Sequence, residues 1–258
     1  MIDRIKEIYE YRTMFWSLTL SELRTKYKGS ILGFLWTFLN PLLMLIVYSI
    51  VFSIIMKSNL PHYPAFLFIG ILAWNMFSIS LSSTSGVIIR QSSLVKKIYF
   101  PREILPLSIV ASNVINYIFS LLILIPFLLV SGIKPSIFWL LLPVILLFET
   151  ITIAGFSLFF SSINVYLRDV EHVLNIFLMA WFYITPVVYS IKLIPTKYHL
   201  LFKLNPMTDF EVLFQSILYY HQPLRWKMFL YSVIFSIMIL YIGWKVFIKL
   251  NRRFAEEI

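Results

Sequence analysis

RTKYKGSILGFLWTFLNPLLMLIVYSIVFSIIM, residues 24–56, opens on three basic side chains, breaks at Gly29 and Ser30, and then runs 26 residues from Ile31 to Met56 without a charge. An α-helix rises 1.5 Å per residue and needs about 20 apolar residues to cross the hydrocarbon core, so this stretch has the length of a membrane span. Arg24, Lys26 and Lys28 stand directly before it. Basic residues at the end of a span stay on the cytoplasmic side, and the orientation of every later element follows from that anchor.

Composition agrees with a lipid solvent. Apolar residues make up 60% of the 258 positions, against roughly 45–50% in a soluble domain. Cysteine is absent, which excludes a disulfide framework and any Cys-based metal or thiol site. The formal charge of +10 raises the question of nucleic acid. Its 22 Lys and Arg, however, are dispersed at the ends of apolar runs, where they act as topology signals and contacts to anionic headgroups. No nucleic-acid partner is expected. No cleavable signal peptide is expected either, because Met1 to Glu22 carries charges throughout.

The chain therefore reads as an all-α membrane protein, a single transmembrane domain over residues 1–258. In residues 1–28, Ile2, Ile5, Ile8, Phe15, Trp16, Leu20, Leu23 and Tyr27 recur at helical spacing with charges between them, which predicts an amphipathic helix lying in the interface. Six spans follow, at about 31–56, 65–89, 104–130, 135–163, 173–189 and 226–250. The second half of span two, SISLSSTSG, is made of small and hydroxyl residues and is expected to pack inside protein. Residues 90–103 and 164–172 form inner loops. Residues 190–225 form an outer re-entrant or interfacial hairpin, in which Asn205 caps a helix begun by Pro206, with Asp209 and Glu211 in its first turns. Its apolar face is expected at Met207, Phe210, Leu213, Phe214, Ile217 and Leu218. This topology puts both termini in the cytoplasm and fifteen of the 22 Lys and Arg on the inner side, as the positive-inside rule requires. No half-length repeat is visible, which argues against a carrier built from two tandem halves.

Catalytic chemistry has little to work with. His62, His172, His199 and His221 all fall in loops or at a helix end, with no metal-ligand spacing. The serines have no general base at membrane depth. A GxxxxGK[ST] phosphate cradle is absent, so an energy source for active transport must sit on another polypeptide. Glu149 is the one acid deep in a span. A charge at mid-bilayer costs on the order of 3 kcal/mol on insertion scales, so it is expected to be protonated, paired or facing water. Folding span three onto span four sets it level with Asn116, one turn from Asn113, and a helix-to-helix hydrogen bond from a neutral Glu149 is the preferred reading over a proton-carrying one.

Three stretches resemble the permease subunits of type-2 ABC exporters for polysaccharides, the O-antigen, capsule and teichoic acid group. They are LRTKYKGSILGFLWTFLNPLLMLIVYSIVF at 23–52, residues 63–106 with GILAWNMF and LVKKIYFPREILP, and YLRDVEHVL with ITPVVYSIKLIPTKYHLLFKLNPMT at 166–208. The resemblance implies an all-helical permease that dimerises, pairs with an ABC ATPase dimer and exports a lipid-linked glycan through a channel at the dimer axis in the inner membrane. It implies no cofactor in this chain, ATP and Mg being held by the ATPase. By position, residues 94–102 would contain the coupling helix: Leu94, Lys96, Lys97, Tyr99, Phe100, Pro101 and Arg102. Arg168 and Asp169 would shape a second cytoplasmic contact. Thr185 and Pro186 match a step that breaks span five, with the hairpin beyond it as outer gate. Glu149 has no counterpart in the family pattern and receives no transport role.

The residues suit that work physically. Pro101 is expected to end the short basic helix and set its angle. Lys96, Lys97 and Arg102 suit acidic groups on an ATPase, or equally plain topology and lipid contact. Arg24, Lys26 and Lys28 at the membrane surface suit a lipid pyrophosphate, or plain orientation. Aromatic faces stack on the C–H faces of sugars and let a polymer slide, which nominates Phe34, Phe38 and Tyr48 in span one and Phe177, Trp181 and Tyr189 in span five. Within the class, teichoic acid or capsule export stands beside O-antigen export. In another class, an ion-coupled carrier or channel for small solutes remains open, and an intramembrane enzyme is disfavoured by the missing ionisable constellation.

Overall fold

The computed structural model describes residues 2–25, 29–51, 60–191, 194–198, 202 and 204–258. Among them all regular structure is helical. The expected interface helix is α1 (Ile2–Glu10) and α2 (Arg12–Thr25), two pieces where one was expected. The break at Tyr11 is slight, since Tyr11 N–H bonds to Glu7 O and Phe15 N–H to Tyr11 O across it. Span one appears as a 3-10 turn (Gly33–Leu35) and α3 (Trp36–Ser49), with Pro41 inside the helix. Positions 52–56 of that expected span lie outside the described residues.

Among the described residues, four helical stretches have the length and hydropathy to cross a membrane. They are α4 (Tyr63–Ser85), α7 (Ile104–Val130), a 3-10 turn running into α8 (Leu142–Asn164), and α11 (Trp226–Asn251). Between α4 and α7 lie the short α5 (Val87–Arg90) and α6 (Ser92–Lys97). The fifth expected span is α9 (Val170–Ile184), which stops five residues earlier than 189. Pro186 is the reason: its ring disfavours a helical residue before it, and Thr185 is extended at φ −102° and ψ 136°. Fifteen residues reach about 22 Å at helical rise, short of the roughly 30 Å hydrocarbon core. After it come α10 (Pro206–Leu218) and, past α11, a last turn α12 (Phe254–Glu257).

The hub is α4, most of whose side chains are buried, packed against α3, α7, α8, α9 and α10. One side of the hydroxyl-rich half of this helix lies inside protein: Ser80, Thr84 and Ser85 are buried, Thr84 Oγ1 donates to Ser157 Oγ on α8 at 3.0 Å, and Ser78, Ser82 and Ser83 are half-buried on the other side. Helices α8 and α11 form the most extensive pairing, through small residues. A Cβ on Gly243 would sit 2.1 Å from Gly155 O, so the two backbones touch there. Thr152, one turn from Gly155, and Ser236, two turns from Gly243, share a hydroxyl hydrogen bond of 2.8 Å. In apolar surroundings such small-residue seams are how helices gain packing and hydrogen bonds together.

The α10 helix departs from the sequence expectation. It begins at Pro206 with the Asn205 side chain accepting from Met207 N–H at 3.0 Å. Yet all thirteen residues are buried, Asp209, Glu211 and Gln215 included, rather than one apolar face. It is enclosed by α4, α8, α11 and the 3-10 turn before α8, so no side of it is left to water.

Candidate coupling surface and translocation residues

One end of the bundle gathers the C-terminal end of α4, the start of α7, the end of α8, the start of α9 and both chain termini. A separate apolar cluster of Val87, Ile88, Val95, Phe100, Leu105, Ile109, Leu158, Val165, Phe247 and Phe254 packs this end. Polar bonds then lock the N-terminal helix onto it. Arg4 Nε and Nη2 donate to the two Glu103 oxygens at 2.9 Å each, and Arg4 Nη1 to Glu7 at 2.6 Å. Tyr99 Oη donates to Glu7 at 3.0 Å, and Tyr11 Oη to Tyr99 O at 3.3 Å. Partial burial works against the Arg4 guanidinium, but the bonds and charges of Glu103 and Glu7 outweigh it and hold its pKa above the ordinary arginine value. Burial, with the Arg4 charge second and Glu103 opposing, pulls Arg102 below that value.

The expected coupling residues divide into two groups. Leu94 packs against the inner cluster, and Phe100 and Pro101 are buried. Arg102 donates to Asn251 O at 2.8 Å and lies 6.0 Å from the Phe254 ring centroid. Lys96 donates to the Ile258 carbonyl. Lys97 and Tyr99 are exposed, so α6 offers a narrow polar edge while its flanks are anchored to the body. The short basic helix stops earlier than expected: α6 ends at Lys97, and Ile98 is already extended at φ −128° and ψ 137°. Pro101 instead opens the turn into α7, its carbonyl accepting from Ile104 N–H at 3.0 Å.

Arg168 and Asp169 are exposed in the tight turn before α9, where Asp169 holds the N-cap position without a capping bond. The neighbouring link was not foreseen. Arg90 Nη1 reaches Glu171 at 3.3 Å and ties the two loops together, and Asn164 Oδ1 accepts from Glu171 N–H at 3.0 Å. Gly86 makes room for this pair, since a Cβ there would collide with the Glu171 carboxylate and the Arg90 guanidinium. Arg24 is exposed in the last turn of α2. Lys26 and Lys28 lie outside the described residues.

At the opposite end, Thr185 and Pro186 sit in a hydrogen-bonded plug rather than a loose loop. Thr185 Oγ1 donates to Trp181 O and accepts from Asn205 Nδ2, each at 2.9 Å. Trp181 Nε1 donates to Asn205 Oδ1 at 2.7 Å, and Gln215 Nε2 to Pro186 O at 2.9 Å. Trp181 thus turns into the core, not to the open face. Phe177 is exposed beside it, their ring centroids 5.0 Å apart. Tyr189 is half-buried and donates to Tyr183 O at 2.7 Å. Phe38 rests 5.7 Å from the Phe119 ring of α7. The Phe34 and Tyr48 side chains lie outside the described set.

Glu149 is fully buried on α8, and neither of its oxygens nor either side-chain atom of Asn116 has a hydrogen-bond partner among the described residues. The expected Glu149–Asn116 bond is therefore absent. Glu211 on α10, also fully buried and unpartnered, lies within electrostatic reach of Glu149 and Tyr117. Sequence reading singled out Glu149 and missed this pairing, because the two acids are brought together by the enclosure of α10. Among the described residues no group of His, Asp and Glu is arranged to hold a metal ion.

Long apolar helices around a buried hub, with a short basic helix standing out at one anchored end, define a membrane-embedded transport subunit. The chain belongs to the ABC-2 type transporter family, whose pattern matches residues 13–219. It is 34% identical, over an alignment of 260 positions that covers all of both chains, to an O-antigen export system permease protein RfbA of Myxococcus xanthus. It is 32% identical to a protein of the same name from Klebsiella pneumoniae, covering 93% of this chain and 92% of that one. Similarity to the polysialic acid transport protein KpsM of Escherichia coli is 24%, over 74% of this chain and 75% of that one.

Proposed function

We propose that the chain is the channel-forming subunit of an ABC exporter that moves a lipid-linked polysaccharide, O-antigen first among the candidates, out of the cytoplasm across the bacterial inner membrane. The observation that carries this is the 34% identity running the whole length of both chains to a relative named for O-antigen export. Distant likeness to a polysialic acid transport protein keeps capsular export as the second reading.

In this proposal α3 and α9 complete six crossings, α10 is the re-entrant limb of an outer hairpin, and both termini face the cytoplasm. Two copies enclose the channel, because six helices without duplication would barely surround a hydrated polymer. Its wall draws on Phe34, Phe38, Tyr48, Phe177 and Tyr189, and the Thr185–Pro186 plug serves as the outer gate. A separate ABC ATPase dimer, holding ATP and Mg, docks on Lys97, Tyr99 and the Arg168–Asp169 turn, with Lys96 and Arg102 carrying its stroke into the body. Arg24, Lys26 and Lys28 receive the lipid pyrophosphate. Exposed apolar side chains on α9, such as Val173, Ile176 and Met179, support a face turned to lipid or to the second copy.

Co-expression with the ATPase in a cell that makes the lipid-linked glycan should restore surface polymer, and a Walker-Lys variant of the ATPase should abolish it. Uphill transport by this chain alone in vesicles, following an ion gradient, would overturn the proposal in favour of a secondary carrier.

A further inference from the structure

A cavity of about 560 Å3 lies between α3, α4 and α7, halfway along the two long helices. That is the size of a small-molecule site, which typically spans about 300–1,000 Å3. Its lining is unusual for a place at bilayer depth. Thr37 and Asn40 come from α3, Asn75 from α4, and Asn116 and Tyr117 from α7. No Lys, Arg, His, Asp or Glu is among the lining residues.

Among the described residues, several of these groups lack partners of their own. Thr37 is only 3% exposed and its Oγ1 makes no hydrogen bond. Both Oδ1 and Nδ2 of Asn116 are buried and unpartnered. Asn75 Nδ2 donates to Met44 Sδ at 3.4 Å, a weak acceptor. An amide left unsatisfied in an apolar setting costs several kcal/mol, and lipid tails offer no remedy. The remaining walls, Leu72 and Met76 among them, are aliphatic.

Such a lining selects by chemistry. Carboxamides and hydroxyls present donors and acceptors side by side, as the vicinal hydroxyls of a sugar require, while aliphatic walls match its C–H face. Without a cation it offers nothing to a phosphate or pyrophosphate. We infer that this cavity is a binding site for a neutral glycosyl unit of the exported polymer, held by Thr37, Asn75 and Asn116. The inference rests on the polysaccharide-export reading above, and it separates a sugar-holding pocket within each copy from the channel between copies.

The cysteine-free chain makes the test direct. The complete transporter, carrying Ser120→Cys at a lining position outside the three that hold the sugar, is placed in lipid vesicles and labelled with a hydrophilic methanethiosulfonate; Asn40→Cys, exposed at the mouth, reports reagent access and fold. Both positions should label. Titrated maltotriose should slow labelling at Ser120→Cys hyperbolically, about threefold at twice its Kd as 1 + [L]/Kd requires, and inorganic pyrophosphate should not. Met76→Cys, also on the wall, repeats the measurement should Ser120→Cys misfold. No slowing by maltotriose, equal slowing by pyrophosphate, or a position 120 that stays unlabelled while position 40 reacts would each overturn the site. A second arm adds a monoglucosyl diacylglycerol to the vesicles. Protection there without protection by maltotriose would overturn the assignment to the polymer and give the cavity to a glycolipid headgroup. Surface polymer made by the unmodified transporter checks the export reading separately, so loss of the site and loss of the function are told apart.

Discussion

Arg4 and Glu103, 99 positions apart, meet as a two-pronged pair with both N–O distances at 2.9 Å, and Glu103 has no solvent exposure at all. The amphipathic N-terminal helix is therefore fastened to the start of α7, beside the loop expected to receive an ATPase. A parallel guanidinium–carboxylate fork fixes orientation as well as distance. Any force on residues 94–102 consequently acts on α1, on α7 and, through Arg102 and Asn251, on the end of α11 together.

Arg4→Gln should destabilise the folded protein by about 3 kcal/mol, since removing one partner leaves a buried carboxylate without compensation. Adding Glu103→Gln should recover much of that loss, because the buried charge is then gone too. Thermal unfolding of the four proteins of this double-mutant cycle measures the coupling. Independent, additive effects would show that the pair does not hold the helix.

Gly243→Ala should cost about 1–3 kcal/mol, the usual penalty of overpacking, because its Cβ would fall 2.1 Å from Gly155 O. Helices α8 and α11 would have to separate, straining the Thr152–Ser236 bond. The yield of monodisperse protein in detergent reads the effect, with Val130→Ala on the exposed surface as control. Equal yields would mean that the seam tolerates a wider spacing.

How far the sequence could carry this fold is visible in single elements. The expected 104–130 span matches α7 to the residue, because unbroken hydropathy between a basic loop and a Gly turn leaves little choice. The break at Thr185 and Pro186 came only from the resemblance: hydropathy alone carried span five on to 189, past the proline whose effect on its neighbour ends α9 at Ile184. Burial of α10 on every side was not legible, since Asp209, Glu211 and Gln215 look like a polar face until three helices close over them. Arg4–Glu103 and Arg90–Glu171 were equally invisible. Each joins residues some 80 to 100 positions apart, and no local period encodes such a meeting. Trp181 shows the same limit, for an aromatic in a span can face a channel or a core, and only Asn205 decides it.

Asn205→Ala should lower stability by about 1–2 kcal/mol through the lost helix cap and the orphaned indole N–H. The same change frees the end of α9 from α10, so export should fall more than stability alone explains. Asn205→Asp keeps both acceptor bonds, to Met207 and Trp181, and loses the donor to Thr185; it should therefore fall between the two. Thermal unfolding and surface polymer measured on the same three proteins separate cap from gate. Should Asn205→Asp behave like Asn205→Ala in both, the acceptor bonds contribute nothing.

Lys97→Cys should react with a membrane-impermeant maleimide in inside-out vesicles and not in intact spheroplasts. Lys97 is exposed at the end of α6, so accessibility is set by the side of the membrane and not by packing. Bound ATPase should then slow the reaction in inside-out vesicles. Labelling from the external side would reverse the orientation of every span.

Glu149→Gln should leave export within about twofold of wild type, because a buried acid has a transport role only where a proton or ion must be carried along the path. Glu149 and Glu211 both lie fully buried with unpartnered oxygens, and the described ion pairs of this chain, at Arg4 and Arg90, sit at the far end. With energy supplied by a partner ATPase, the pair has packing work and no proton to move. Glutamine keeps the shape and discards the titration, so folded protein should persist at normal levels. Collapse of export by a folded Glu149→Gln protein, with ATP hydrolysis by the complex unchanged, would put an ion-coupled step at the centre of the mechanism.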